Sequence, residues 1–125
     1  MTPGLVLAVA AGGVVGAPAR FALDRLVSAR VESDLPWGTF LVNASGSLVL
    51  GVLLGLALHH HLAGALDAFL ATGFCGAFTT FSTFTYETVR LLEDGDLFEA
   101  LAYSAGSIVV GLCAAAVGLA LASAV

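Results

Sequence analysis

The sequence predicts an all-α integral membrane protein with four transmembrane helices, the third broken near its centre, forming one domain over residues 1–125. Three observations carry that expectation. Of 125 residues, 59% are hydrophobic and 10% charged. The mean hydropathy is +1.03, and a soluble domain of this size needs far more charge to stay in water. Long apolar segments alternate with polar gaps too short to hold a soluble domain. Inside the third segment, residues 73–84 read GFCGAFTTFSTF, where lipid alone would ask for Leu, Val and Ala. The glycines weaken a helix by roughly 1 kcal/mol each relative to Ala.

The apolar segments run from about Leu5 to Leu26, Gly38 to Leu58, Leu66 to Leu92 and Phe98 to Ala122. Each is near or above the roughly 20 residues that a helix needs to cross a bilayer core. A spanning strand would have to join a closed barrel and alternate in polarity, and no such alternation occurs. The N-terminal Met-Thr-Pro-Gly carries no basic residue, so a cleaved signal peptide is not expected. The net charge of -5 says little about partners, because the charges sit at segment ends. With no Lys and four Arg there is no basic surface for nucleic acid.

In segment one, Gly12 and Gly16 form a small-xxx-small pair that suits close helix packing. Arg20 admits two readings. It is a charge snorkelling to the interface, or a cation that concentrates anions at a pore mouth or clamps a carboxylate. Segment two opens on Pro36 and Trp37, which suit a helix start and a membrane interface. Thr39, Asn43, Ser47, Gly51 and Gly55 then recur every fourth residue along one face. Asn43 either bonds a neighbouring helix or offers N–H groups to a permeating anion without bringing a counter-charge. His59, His60 and His61 are consecutive and read as an exposed loop rather than a metal site.

In segment three, Gly73 and Gly76 are expected to permit the helix break. Broken helices persist in membranes only where they are buried or line a cavity, and their freed carbonyls can bind a cation. Phe74, Phe78, Phe81 and Phe84 form one helical stripe, whose plain reading is packing. Glu87 either pairs with Arg90 at i, i+3 or faces a vestibule. In segment four, Tyr103, Ser107 and Gly111 step by four, completing a hydroxyl-lined path or packing tightly. Cys75 and Cys113 both fall in apolar segments and read as small buried hydrophobes.

No nucleophile, base or metal-ligand spacing forms a catalytic constellation, so no enzymatic activity is expected. Hydroxyls, one amide and phenyl edges are weak ligands that suit brief contact with a small anion. The chain shows no internal repeat, and four helices are few to enclose both a broken helix and a pore. Any two-fold symmetry is therefore expected from a second subunit.

GGVVGAPARF at 12–21, GTFLVNASGS at 38–47 and GFCGAFTTFSTF at 73–84 together resemble the Fluc (CrcB) fluoride channels. The resemblance implies an antiparallel, dual-topology homodimer with two fluoride pores, giving passive export of cytoplasmic fluoride across the plasma membrane and so fluoride resistance. It implies that Phe81 and Phe84 contact fluoride through ring edges and that Asn43 is the amide donor beside them. Ser82, Thr83, Tyr103 and Ser107 would then form a polar track. Backbone carbonyls of Gly76 and Thr79 would hold one structural Na⁺ at the dimer axis. Arg20 and Glu87 resemble the family's vestibule arginine and its acidic residue near the pore end. One feature qualifies the homodimer: Arg20, Arg25, Arg30 and Arg90 all fall on one side of the membrane. The positive-inside rule favours that side being cytoplasmic, which raises pairing with an oppositely oriented relative. The alternative function is a small dual-topology drug-efflux-type transporter. That class needs a carboxylate deep in its first helix, and segment one has none before Asp24. A non-conducting assembly subunit would explain the glycines but not Asn43 with the hydroxyl–phenyl run.

Overall fold

The computed structural model describes residues 1–60, 62 and 64–124. Four helical spans in it are long and apolar enough to cross a membrane. Thr2 starts the first: its hydroxyl accepts the Leu5 N–H at 3.4 Å, and Pro3 takes the first helical position, where no N–H is missed. This helix, α1, runs Pro3–Ser28, and α2 follows Pro36 as Trp37–His60. The third span, Gly64–Glu93, is composite. It consists of a short turn α3 (Gly64–Asp67), a π-helical stretch Ala68–Cys75, a turn α4 (Gly76–Phe78) and the regular helix α5 (Phe81–Glu93). The last helix, α6, is Leu97–Ser123. Gly95 makes the tight link before it, at φ 86°, a left-handed backbone that favours glycine.

Backbone contact at glycines sets the packing. A Cβ on Gly12 would strike the carbonyl oxygen of Phe69, and one on Gly16 the carbonyl oxygen of Phe74. The α1 helix therefore lies directly on the first half of the third span, side by side and parallel. On the other flank, Gly51 abuts Ala115, Gly55 abuts Leu119 and Ala122, and Gly118 abuts Leu48, so α2 and α6 also run parallel in close contact. After the break the chain changes partner. The α5 helix leaves α1 and packs on α6, burying Leu91, Ala100 and Tyr103 with Leu35, Phe40 and Phe84 against them. Most other large apolar side chains face outward, as a helix surrounded by lipid allows.

Three sequence expectations are corrected here. The break does not fall at the glycines: Gly76 is helical at φ -63°, ψ -34°. The chain turns extended at Thr79 (φ -76°, ψ 156°) and Thr80 (φ -144°, ψ 123°). Gly73 serves packing instead, because a Cβ there would meet the carbonyl oxygen of Val9. His59 and His60 end α2 rather than forming a loop. No Gly or Pro halts the helix before Gly64, and the His59 ring folds back on its own helix, with Nδ1 2.9 Å from the Gly55 carbonyl. His61 lies outside the described residues. Cys75 is buried as expected, but Cys113 is exposed on the outer face of α6, where lipid removes the need to bury an apolar thiol.

Candidate functional site

The break is held open by one side chain. The Nδ2 of Asn43, on α2, donates to the Thr80 carbonyl at 2.9 Å, and the Thr80 N–H donates to Asn43 Oδ1 at 2.8 Å. A buried backbone group must find a partner, and here the amide supplies both partners that a continuous helix would have supplied. Thr80 itself caps α5, its Oγ1 accepting the Thr83 N–H at 3.2 Å. The Thr80 hydroxyl donates to Thr83 Oγ1 at 3.0 Å and lies 3.4 Å from Ser82 Oγ.

These bonds release carbonyls. The Thr80 N–H would close a helical turn onto Gly76, and the Thr83 N–H would close one onto Thr79. Both are directed elsewhere. Thr79 keeps the ordinary helical bond from its N–H to the Cys75 carbonyl, and its hydroxyl donates to the same oxygen, each at 2.9 Å. Gly76 is exposed, with open space where a Cβ would stand.

Below the break, Glu87 joins three helices. Its Oε1 accepts the Thr39 hydroxyl at 2.9 Å and its Oε2 accepts the Tyr103 hydroxyl at 2.8 Å. Glu87 lines a cavity of about 500 Å³ at the end of the molecule that carries Arg90, together with Asp24, Asp34, Asp94 and Asp96. Arg20 is half-buried and lines a second cavity of about 200 Å³ with Asp24, Thr39, Thr80 and Thr83.

The phenylalanine stripe divides in two. Phe74 and Phe78 stack on each other, ring centres 5.4 Å apart and 12° from parallel. Phe84 stands 5.9 Å from Phe81 and 5.5 Å from Tyr103. Phe81 is 79% exposed on this single chain, while Phe84 is half-buried. Ser107, a turn beyond Tyr103 on α6, has a buried hydroxyl with no hydrogen-bond partner among the described residues, an arrangement uncommon in folded proteins.

Asn43, Ser82 and Thr83 thus meet around Thr80, and Thr39 and Tyr103 meet through Glu87. Phe84 touches Tyr103, and the smaller cavity links Arg20 to the hydroxyls. No hydrogen bond ties Ser107 to the others. Two buried residues escaped the sequence reading as site members: Thr39, 3% exposed, and Thr80, 8% exposed. Thr39 was detectable one helical turn before Asn43 on the same stripe. Thr80 was detectable only as a hydroxyl three residues ahead of Thr83, the spacing of an N-cap.

A bundle of four apolar helical spans with a seam of hydroxyls, one amide and phenyl rings defines a small multi-pass membrane protein. The chain belongs to the CrcB-like family: the family model described as "CrcB-like protein, Camphor Resistance (CrcB)" matches residues 7–119. A relative from Streptomyces avermitilis, named "Fluoride-specific ion channel FluC 1", is 49% identical over 113 residues, covering 90% of this chain and 91% of the relative. A protein of the same name from Frankia casuarinae is 48% identical over 128 residues, covering 95% and 96%. "Fluoride-specific ion channel FluC" from Thermus thermophilus is 44% identical over 112 residues, covering 90% of each chain. These relatives are named as channels, not enzymes.

Proposed function

We propose that this chain is a fluoride-selective channel of the plasma membrane that lets cytoplasmic fluoride leave passively and so confers fluoride resistance. The observation that carries the reading is the seam around Thr80. Asn43 and Thr83 offer N–H and O–H groups within an apolar bundle and Ser82 offers one on its exposed face, with no cationic side chain among the described residues bonded to them. Fluoride is small and strongly hydrated, so it must trade water for other donors to cross. Neutral donors and the positive edges of Phe81 and Phe84 can solvate it without binding it so tightly that it cannot leave. Tyr103 and the unpartnered Ser107 hydroxyl extend the polar track along α6. Arg20 raises anion concentration at one mouth. Glu87 sits toward the same end, hydrogen-bonded to Thr39 and Tyr103.

A second, antiparallel subunit completes the path and gives two pores. The exposed Phe81 ring and the open face at Gly76 support this, since both would otherwise meet lipid. The family resemblance also brings a structural Na⁺ at the dimer axis. Carbonyl oxygens suit such a hard cation, and the Gly76 and Thr79 carbonyls have lost the N–H groups that a helix would give them, so these two residues fit as its ligands. When bound, the ion offsets the charge of anions passing nearby.

Growth on fluoride tests the proposal. A bacterial strain lacking its own fluoride exporter is expected to grow on fluoride medium when it expresses this chain, and not when it expresses Asn43→Asp. Equal sensitivity with and without the wild-type chain, at matched membrane expression, would refute it.

A further inference from the structure

We propose that Thr80 is a positioning residue that makes Asn43 and Thr83 present protons to the path, and so sets the path's preference for an anion; this rests on the channel reading above. Two constraints lead there. An Asn amide can sit either way round in a helix, showing oxygen or nitrogen to a given neighbour. Thr80 allows only one way. Its N–H faces Oδ1 at 2.8 Å and its carbonyl faces Nδ2 at 2.9 Å. The reversed amide would set donor against donor and oxygen against oxygen. The Asn43 carbonyl oxygen is thereby turned to the Thr80 N–H, and the proton left over is the second N–H.

The hydroxyl of Thr80 does the same to Thr83. It has one proton, and that proton goes to Thr83 Oγ1 at 3.0 Å, while its oxygen receives the Thr83 backbone N–H at 3.2 Å. Ser82 Oγ, at 3.4 Å, meets what remains of the Thr80 oxygen. Because Thr83 Oγ1 accepts, its own proton is released to point elsewhere. The hydrogens left over, an N–H and an O–H, both stabilise an anion and repel a cation. Thr80 and Thr83 line the smaller cavity of about 200 Å³ with Arg20 and Asp24, so Thr83 borders open space rather than solid packing. Thr80 is itself 8% exposed and has its N–H, carbonyl and hydroxyl all engaged, so it acts through its neighbours and not as an ion ligand.

Fluoride efflux from proteoliposomes, measured with a fluoride electrode, separates this role from simple helix capping. Thr80→Val keeps the shape and removes the hydroxyl. It is expected to slow efflux about tenfold or more while eluting as the wild type does on size exclusion, and Thr80→Ser is expected to recover to within about threefold. Thr83→Val slows efflux too, and adding Thr80→Val to it changes the rate by less than about twofold, because the two act as one unit. Efflux by Thr80→Val at the wild-type rate, or effects of Thr80→Val and Thr83→Val that multiply, would overturn the proposal. Should Thr80→Val not fold, Thr80→Ala removes the same hydroxyl without placing a second methyl beside Thr83 and is judged by the same outcomes. Wild-type protein that passes no fluoride would remove the channel reading itself, whereas wild-type flux with an indifferent Thr80 removes this inference alone.

Discussion

Asn43 is the residue on which the site turns, and its use is double. Its amide replaces two backbone partners at Thr80 and still has an N–H to spare. Asn43→Asp keeps the acceptor but sets a carboxylate oxygen against the Thr80 carbonyl. The expected cost is about 1–3 kcal/mol of stability, read as a lower thermal midpoint in detergent, together with loss of fluoride flux. Phe81→Ile separates the two effects. Phe81 is 79% exposed on the chain, so its loss empties no core, and flux is expected to fall while the chain's own thermal midpoint stays near wild type. Tyr103→Phe leaves Glu87 Oε2 without its 2.8 Å partner; a drop of about 1–3 kcal/mol in stability is expected, measured by thermal unfolding. Asn43 was legible in the sequence because an amide within an apolar helix must find a partner. Thr80 was not, because one threonine among four neighbouring hydroxyls looks like the others until the helix opposite supplies the amide that selects it.

At the scale of elements, the third span is where sequence and structure diverge. Hydropathy and length were enough to locate all four spans, since lipid leaves a chain no other way to satisfy its backbone. The position of the break was not legible, because glycine signals weakness in a helix without saying which need it answers. At Gly12, Gly16 and Gly73 the need is close contact between backbones. The break is made three residues past Gly76, by Asn43 and the threonine hydroxyls competing for backbone bonds. A direct comparison follows. Gly16→Val places a Cβ against the Phe74 carbonyl oxygen, which cannot rotate away, and is expected to destabilise by about 1–3 kcal/mol. Gly4→Ala, with nothing within 4 Å of the added carbon, is expected to leave the thermal midpoint unchanged or slightly raised. Equal midpoints for the two variants would show that α1 does not pack through Gly16. The histidines teach the same lesson at the end of α2. Their consecutive placement suggested a loop, but His59 and His60 continue α2, and His59 finds its partner on the preceding turn.

In the proposed assembly the whole molecule is a half-site. Seen alone, the chain exposes Phe81 beside a half-buried Phe84 and leaves Gly76 open, and an antiparallel mate is the proposed cover for both. All four arginines fall toward one end, which favours a single orientation in the membrane. Purified alone and cross-linked in the bilayer, the chain is expected to give a dimer that conducts. A silent monomer would mean that its mate is an oppositely oriented relative. The central claim, selective conduction of fluoride by this seam, is tested most directly by anion efflux from liposomes containing the purified chain, with fluoride and chloride compared under the same driving potential. Fast fluoride efflux with negligible chloride efflux is the result predicted. Equal efflux of the two anions, or none of either from a correctly assembled protein, would contradict it.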